Sequence, residues 1–540
     1  MQRRSFLKKA TIGAGAAALA APSIAQSLPI RNALLVSSFP KSLKSASLTG
    51  KQQLALTSIE AITAISNGSL SAVSYITTLI DCAKANSSLN AMIYLDESGA
   101  LSAAALLDGK RAAGERLPLL AGLPIVVKDN INTKDMKTTG GTPALRNFQP
   151  TRNAPSLQKL IDAGAIVLGK SNMHEMALGV TSTNFTLGVD AAGIASRPAQ
   201  NPYNTLHVPG GSSGGTASAI AAGFVPCGLG TDTGGSSRVP AAFCGIVGLR
   251  PSVGDGLGKG RRYVDGNGVI PVSHTRDTVG PMGRSVADVA LLDAVITDTA
   301  MPTARSLKGI RMGIPASFWS GLDASLSVVA MAARQKLVDA GAIMVNVDME
   351  GIIALNDKIS FPIALHEPLL DIPGYLAANG ADSITVQSIA NQIASPDVRG
   401  VFGAITTDAL GGEYLDAINL HRPTLQAMYR EYFSINKLDV ILFPTVIITA
   451  PTIDAINGSA QNIAVNGSLV PGMNEFSAII RNTDPSSNAG IPGLSIPAGL
   501  TTAGLPVGLE IDGPLGSDQM LLAIGMSMEA ILGRLNGPAI

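Results

Sequence analysis

The sequence predicts an α/β fold, and three observations carry that prediction. Short apolar runs typical of buried strands, such as Leu123-Pro124-Ile125-Val126-Val127 and Ile166-Val167-Leu168, alternate with stretches of helical periodicity. Hydrophobic residues make up 46% of the 540 positions and charged residues only 14%, against about 25% charged in a typical soluble chain. Much of the protein must therefore be interior. No Pro/Ser-rich or charged linker divides the stretch from 57 to 540, which favours one large domain with inserted segments over several small ones.

In chain order, Arg3-Arg4-Ser5-Phe6-Leu7-Lys8 precedes a mildly apolar, Ala/Gly-rich stretch and the small residues Ser23-Ile24-Ala25. Residues 1–25 thus resemble a twin-arginine signal peptide, which implies export of the folded chain to the periplasm or outside the cell. The stretch is too short and too weakly apolar to remain as a membrane span, and no other run of 18 or more apolar residues occurs. Residues 26–56 read as an irregular N-terminal segment. Thr57 and Glu60 have capping-box spacing, and Ile59, Ile62 and Ile65 recur every three residues, so a helix is predicted from 57. Further helices are predicted at about 71–85, 101–113 and 156–163, and a tightly packed one over 216–223. Beyond the Gly-rich centre at 181–283, Ser285 caps a helix through Val286, Val289, Leu292 and Ile296. Residues 310–315 read as a strand, 325–339 as a helix, and 350–435 as a variable, mostly helical insertion. The run 439–444 is another buried strand, 494–497 and 507–511 form a hairpin, and 517–532 a closing helix.

Lys+Arg and Asp+Glu both number 39. A chain without net charge lacks the basic excess that a nucleic-acid partner requires. Cys82, Cys227 and Cys244 are too few for a disulfide framework and form no Cys-x-x-Cys pair, so a thiolate zinc site is not expected. Cys244 reads as a small buried apolar residue. The 58 glycines show no three-residue period; they imply close approach of backbone to backbone or to a ligand.

One tetrapeptide occurs twice. Gly210-Gly211-Ser212-Ser213 returns as Gly234-Gly235-Ser236-Ser237, so two Gly-rich turns could present hydroxyls to one site. Three mechanistic readings compete. A phosphate cradle fails because neither run continues into Gly-Lys-Ser/Thr. A nucleophile elbow matches Gly210-Gly211-Ser212-Ser213-Gly214, but it needs a hydrophobic strand before the Ser, and Thr205-Leu206-His207-Val208-Pro209 is a poor one. It also needs a late His, and neither His366 nor His421 has a convincing acid partner. The third reading is a Ser nucleophile activated by a neutral Lys whose pKa is lowered by burial. Lys128 follows the apolar run 123–127 and Lys170 follows Ile166-Val167-Leu168-Gly169; spacing alone does not choose between them.

The runs Leu123-Pro-Ile-Val-Val-Lys128-Asp-Asn, Gly210-Gly-Ser-Ser-Gly-Gly215 and Gly230-Thr-Asp-Thr-Gly-Gly-Ser-Ser-Arg238 resemble the amidase signature family. The likeness continues through Pro240-Ala-Ala-Phe-Cys-Gly-Ile-Val-Gly-Leu-Arg250-Pro, Asp277-Thr-Val-Gly-Pro-Met-Gly-Arg284-Ser and 488–499. It spans about 57 to 535 and is thinnest over 350–435. It implies a single amidase domain from 57 to 540, an amidase-signature fold whose core is a large twisted mixed β-sheet, helices on both faces of that sheet, and hydrolysis of a carboxamide to an acid and ammonia. By position, the resemblance makes Lys128 the catalytic base, Ser212 the bridging Ser preceded by a cis peptide, and Ser236 the nucleophile that forms an acyl-enzyme. It assigns the oxyanion hole to the backbone N–H groups of Thr233, Gly234, Gly235 and Ser236, and support of that loop to Asp232 and Arg238. Lys170 matches a position that is not the base. No metal or organic cofactor is implied.

Within that family, the segments 173–182 and 268–275 look closer to indoleacetamide and mandelamide hydrolases than to aminoacyl-tRNA amidotransferase subunits. The expected substrate is therefore a small aryl- or alkyl-acetamide, with Met176 and Leu178 as apolar contacts in its pocket. His174 is expected to be structural. Two alternatives stand beside this reading: a peptide amidase acting on C-terminal peptide amides, and a non-catalytic binding protein on the same fold. The expected partner is a small-molecule amide, with no nucleic acid and no stable membrane span; a homodimer is left open.

Overall fold

The computed structural model describes residues 48–188, 197–256 and 258–538; the expected signal peptide lies outside them. An eleven-stranded sheet forms the core. Its strands are β1 (Met92–Leu95), β2 (Pro124–Lys128), β3 (Ile166–Ser171), β4 (Cys227–Asp232), β5 (Val247–Arg250), β6 (Thr278–Gly283), β7 (Arg311–Gly313), β8 (Ile343–Val345), β9 (Val440–Pro444), β10 (Gly493–Leu500) and β11 (Pro506–Asp512). They lie in the order β1-β3-β2-β4-β6-β5-β10-β11-β9-β7-β8. The sheet is mixed: β2 runs parallel to β3 and β4, whereas β4–β6, β6–β5, β5–β10 and the β10–β11 hairpin are antiparallel.

Alternate residues of β2 enter different cores, as a strand buried on both faces requires. Val126 packs with Ile76, Leu79, Leu168 and Ala217, while Ile125 and Val127 pack with Leu157, Leu160 and Leu291. Helices cover both faces: α1 (Ser58–Asn67), α2 (Ala72–Ala85), α3 (Glu97–Ala112), α4 (Pro155–Asp162), α5 (Gly214–Ala221), α6 (Arg238–Cys244), α7 (Val286–Thr297) and α8 (Ala324–Asp339). Capping boxes start α1 at Thr57 with Glu60 and α7 at Ser285 with Asp288. α3 starts at Glu97, earlier than the periodicity suggests, because the Asp96 side chain accepts from Gly99 N.

The stretch 350–435 contributes α9 (Ile352–Ala378), with Pro362, Pro368 and Pro373 inside it, α10 (Pro396–Thr406) and most of α11 (Arg422–Asn436). α12 (Asp484–Ala489) precedes the hairpin and α13 (Asp518–Leu532) closes the fold. Among the described residues no helix is long and apolar enough to cross a membrane. Cys227 and Cys244 are buried and free.

The first Gly-rich turn leads straight into α5, and the second lies between β4 and α6. α5 approaches the sheet unusually closely. A Cβ on Gly215 would sit 2.3 Å from Asn172 O and 2.6 Å from Ala91 O, so only glycine fits there. No strand leads into Ser212, which removes the nucleophile-elbow reading.

Candidate active site

Lys128 is the last residue of β2 and is fully buried. Its Nζ lies 2.7 Å from Ser212 Oγ and 2.7 Å from Thr231 Oγ1. Asn130 Nδ2 donates to the same Thr231 Oγ1 at 3.1 Å. Both neighbours of the amine are uncharged hydroxyls. Burial therefore lowers its pKa to about 7, against the raising pull of the more distant Asp232 and Asp277 carboxylates. The peptide bond between Gly211 and Ser212 is cis, and Ser212 O accepts from His174 N at 3.1 Å.

Geometry separates the two serines of each turn. Ser212 faces the amine, whereas Ser213 Oγ accepts from Thr231 N and donates to Thr231 O, both at 3.2 Å, fastening the turn to β4. In the second turn Ser237 Oγ donates to Asp232 Oδ2 and Leu249 O, both at 2.9 Å. Ser236 instead borders a cavity of about 360 Å³. Ser213 N donates to Ser236 O at 3.3 Å, which brings the two turns together.

Asp232 organises the second turn. Its carboxylate accepts from Gly235 N at 3.0 Å and Ser237 N at 3.2 Å, and from Arg238 Nε and Nη2 and Arg250 Nη1 at 3.0–3.1 Å. Burial alone would raise its pKa, but Arg238 and Arg250 outweigh that and hold the carboxyl well below the usual range. Arg238 also pairs with Glu510 and donates to Ser487 Oγ at 2.7 Å. One expectation needs correcting. The Gly235 N–H, expected among the oxyanion donors, is committed to Asp232 Oδ1. Thr233 Oγ1 donates to Asp277 Oδ1 at 2.6 Å, and Gly234 O accepts from Thr483 Oγ1 at 2.6 Å, so the turn is braced from both sides.

The cavity beside Ser236 has apolar walls that include Leu178, Phe361, Leu365 and Phe476. The Phe361 and Phe476 rings lie 5.9 Å apart at 41°. Met176 does not join them, which is a second correction: it is buried in a core cluster with Leu145, Ile270 and Leu365 and does not line the cavity. Its place is taken by residues the sequence did not mark, since the two Phe come from α9 and from the helix at 475–480, far from the Gly-rich centre. Thr231 was also missed, although it lies in the motif between Gly230 and Asp232; its neighbour Asn130 follows Lys128 by two positions. Lys170, the rival base, is equally buried, but its Nζ donates to Ile131 O, Thr133 Oγ1 and Thr138 Oγ1 at 2.6–3.1 Å and lies 3.7 Å from Asp129 Oδ1. His174 is structural: Ser182 N donates to its Nδ1 at 3.1 Å, and its Nε2 lies 3.1 Å from Asp397 Oδ2 on α10.

The sequence and the fold both have known relatives. The sequence pattern of the family described as Amidase matches residues 75–522. An indoleacetamide hydrolase of Agrobacterium vitis is 40% identical over 463 residues, 85% of this chain and 93% of that protein. A mandelamide hydrolase of Pseudomonas putida is 39% identical over 462 residues, 83% and 86% of the two chains. Among solved structures, one described as an amidase superposes with a TM-score of 0.75 at 29% identity, covering 88% of this chain and all of the other. The peptide amidase of Stenotrophomonas maltophilia superposes with a TM-score of 0.73 at 26% identity, covering 90% and 98%.

Proposed function

The chain belongs to the amidase family and hydrolyses amide C–N bonds, and from that premise we propose that it cleaves small arylacetamides through a Ser236–Ser212–Lys128 relay. The observation that carries the relay is the buried, hydroxyl-bound amine of Lys128, whose lowered pKa leaves a large neutral fraction at pH 7. Neutral Lys128 takes the proton of Ser212, and Ser212 takes that of Ser236. Ser236 Oγ attacks the carbonyl carbon. The N–H groups of the Gly234 turn face the developing oxyanion, where each well-placed donor contributes about 3 kcal/mol. Asp232 holds that turn rigid through Gly235 N and Ser237 N. Ser212 returns a proton to the departing nitrogen, ammonia leaves, and water admitted to the same relay hydrolyses the acyl-enzyme.

The choice of an aryl group rests on the Phe361–Phe476 pair in the cavity wall, which offers edge and face contacts to a ring, and on the two relatives near 40% identity. The Arg3-Arg4 leader supports a periplasmic or secreted enzyme, and cell fractionation tests that part.

A panel of acetamide, phenylacetamide, indoleacetamide and a dipeptide amide tests the substrate. Arylacetamides are expected to lead. Acetamide equal to them sinks the aryl reading, and a preference for the dipeptide amide moves the enzyme to the peptide amidases. Ser236→Ala is expected to abolish turnover and labelling by a fluorophosphonate, and unchanged turnover removes the relay. A wild-type chain that binds arylacetamides without cleaving them would be a binding protein.

A further inference from the structure

We propose that Asp397 reads the acyl part of the substrate, so that the preferred arylacetamides are those whose ring carries a neutral N–H donor, as an indole does. This rests on the arylacetamide reading above and deepens it. Asp397 stands in the first turn of α10 and borders the same cavity as Ser236. The two aspartates of that wall have different neighbours. Asp484 is taken up by Arg276, and its Oδ2 accepts from Asn356 Nδ2 at 2.7 Å and Asn488 Nδ2 at 3.0 Å. Asp397 has no Lys or Arg partner among the described residues. Its Oδ1 accepts from Val398 N at 3.0 Å. Its Oδ2 has only His174 Nε2 nearby, 3.1 Å away and without a completed hydrogen bond. His174 accepts from Ser182 N through Nδ1 at 3.1 Å, the tautomer that brings no positive charge to Asp397. The Asp397 side chain keeps 13% of its surface exposed, so a cavity-lining carboxylate is left with open lone pairs.

The fold holds Asp397 in place. Glu175 Oε2 accepts from Ser395 N at 2.8 Å and Ala394 N at 3.1 Å, which pins the start of α10. On the other side the chain at Gly458 closes over the carboxylate: a Cβ there would lie 2.5 Å from Asp397 Oδ1. Thr181 Oγ1 fastens that loop by donating to Gly458 O at 2.8 Å. An acceptor fixed in advance adds little ordering cost when substrate binds. The surroundings decide which donor suits it. Glu475, flanked by the cavity residues Asn474 and Phe476, has its carboxyl pushed up to about 7 by burial, with Asp454 and Asp397 adding to the rise. The local field is therefore negative and favours the positive end of a donor. The neighbouring walls are apolar, from Leu178, Phe361, Leu365, Val401 and Phe476, and they suit a ring. A neutral ring N–H forms a charge-assisted hydrogen bond with Asp397 without bringing a second charge out of water. A site built around such a bond discriminates against the analogue that lacks the donor.

The test compares indoleacetamide with its benzofuran analogue, in which an oxygen replaces the ring N–H at almost unchanged size. Both are assayed with full-length wild type, Asp397→Asn and Asp397→Ala. The indole-to-benzofuran ratio of kcat/KM is read within each protein, so that a general loss of activity cancels. Wild type is expected to favour the indole about tenfold or more, the scale of one hydrogen bond to a charged acceptor. The ratio is expected to fall to about one in Asp397→Ala. Asp397→Asn, which keeps an acceptor without the charge, is expected to lie between. Equal rates on the two amides in wild type overturn the proposal, even where Asp397→Ala does not fold, and so does a ratio that survives in Asp397→Ala. A wild-type preference for an aminomethyl-substituted phenylacetamide over both overturns it in favour of a cation. Phenylacetamide ahead of acetamide, with no response to the ring N–H, keeps the arylacetamide reading and removes this one; acetamide equal to phenylacetamide removes both.

Discussion

Lys128 and Lys170 sit on adjacent strands, each follows an apolar run, and both are almost completely excluded from solvent. They nevertheless serve different ends. Lys128 has two hydroxyls for company, and burial brings its pKa to about 7. Lys170 has a carbonyl, two hydroxyls and the Asp129 carboxylate; burial lowers it to only about 8 because Asp129 pulls it back. The first has only hydroxyls beside it, and the second is held against a carboxylate that favours its charged form. The lesson is that burial creates the potential for a base, and the neighbours decide whether it is realised. The sheet chooses the neighbours. In β2–β3 the register shifts between Ile125 and Val126, so that Lys170 pairs with Val127 while Lys128 pairs with Ser171. Paired residues share a face of the sheet and successive residues alternate. Lys128 therefore points toward α5 and its serines, and Lys170 points to the opposite side, toward Ile131 and Thr138.

The comparison breaks most sharply on activity. Lys128→Met is expected to lower kcat by about 10⁴-fold or more, the scale of losing one member of a relay, while Lys170→Met leaves the kcat of folded enzyme within a few-fold. Similar kcat losses in the two variants would erase the distinction. The pH profile should follow the same division. In the wild type kcat/KM rises with pH through about 7 as Lys128 loses its proton. Stability follows the same group: unfolded Lys128 keeps its proton to about 10.5, so the unfolded chain binds more protons between 7 and 10.5, and this contribution rises with pH across that window. Lys128→Met removes that slope in chemical denaturation run at several pH values.

Next in size is the stability of the Lys170–Asp129 pair. Lys170→Met leaves the buried Asp129 charge without its cation, which is expected to destabilise by about 3–5 kcal/mol. Adding Asp129→Asn should restore much of the loss in urea denaturation, and a double variant no more stable than the single one would show that the pair is not what matters. The smallest effect concerns Thr231. Thr231→Val removes an acceptor that favours the ammonium form, so the acid limb of the pH profile should move to lower pH and kcat should fall about tenfold, in line with loss of one hydrogen bond to a charged group. Thr231→Ser should recover both. An unmoved limb would place Thr231 outside the electrostatics of the base.

Much of the fold could be read before any coordinates. Runs such as 123–127 and 439–444 are apolar enough to read as buried strands, and Thr57 and Ser285 announce helix starts through their caps. The strands β4, β5 and β6 were not legible, because glycine interrupts them. Gly228 in β4 shows why: a Cβ there would lie 2.6 Å from Val126 O, so the position that makes the segment look like a loop is the one that lets two strands and α5 close up. The site divides in the same way. The repeated Gly-Gly-Ser-Ser turns and two buried-type lysines were visible, but which lysine and which serine of each pair came from resemblance and not from spacing.

By itself, then, the sequence determined the α/β class, the zero net charge and the twin turns, since these follow from composition, periodicity and the repeated tetrapeptide, while the buried amine as base came from the family resemblance. Tertiary structure alone decided that Lys128 faces Ser212 and Thr231, that Gly235 N–H is tied to Asp232, that Met176 turns into the core, and that Phe361 and Phe476 meet across more than a hundred residues. Each of those depends on strand register or on packing between distant segments, and contacts of that kind leave no periodic trace along the chain.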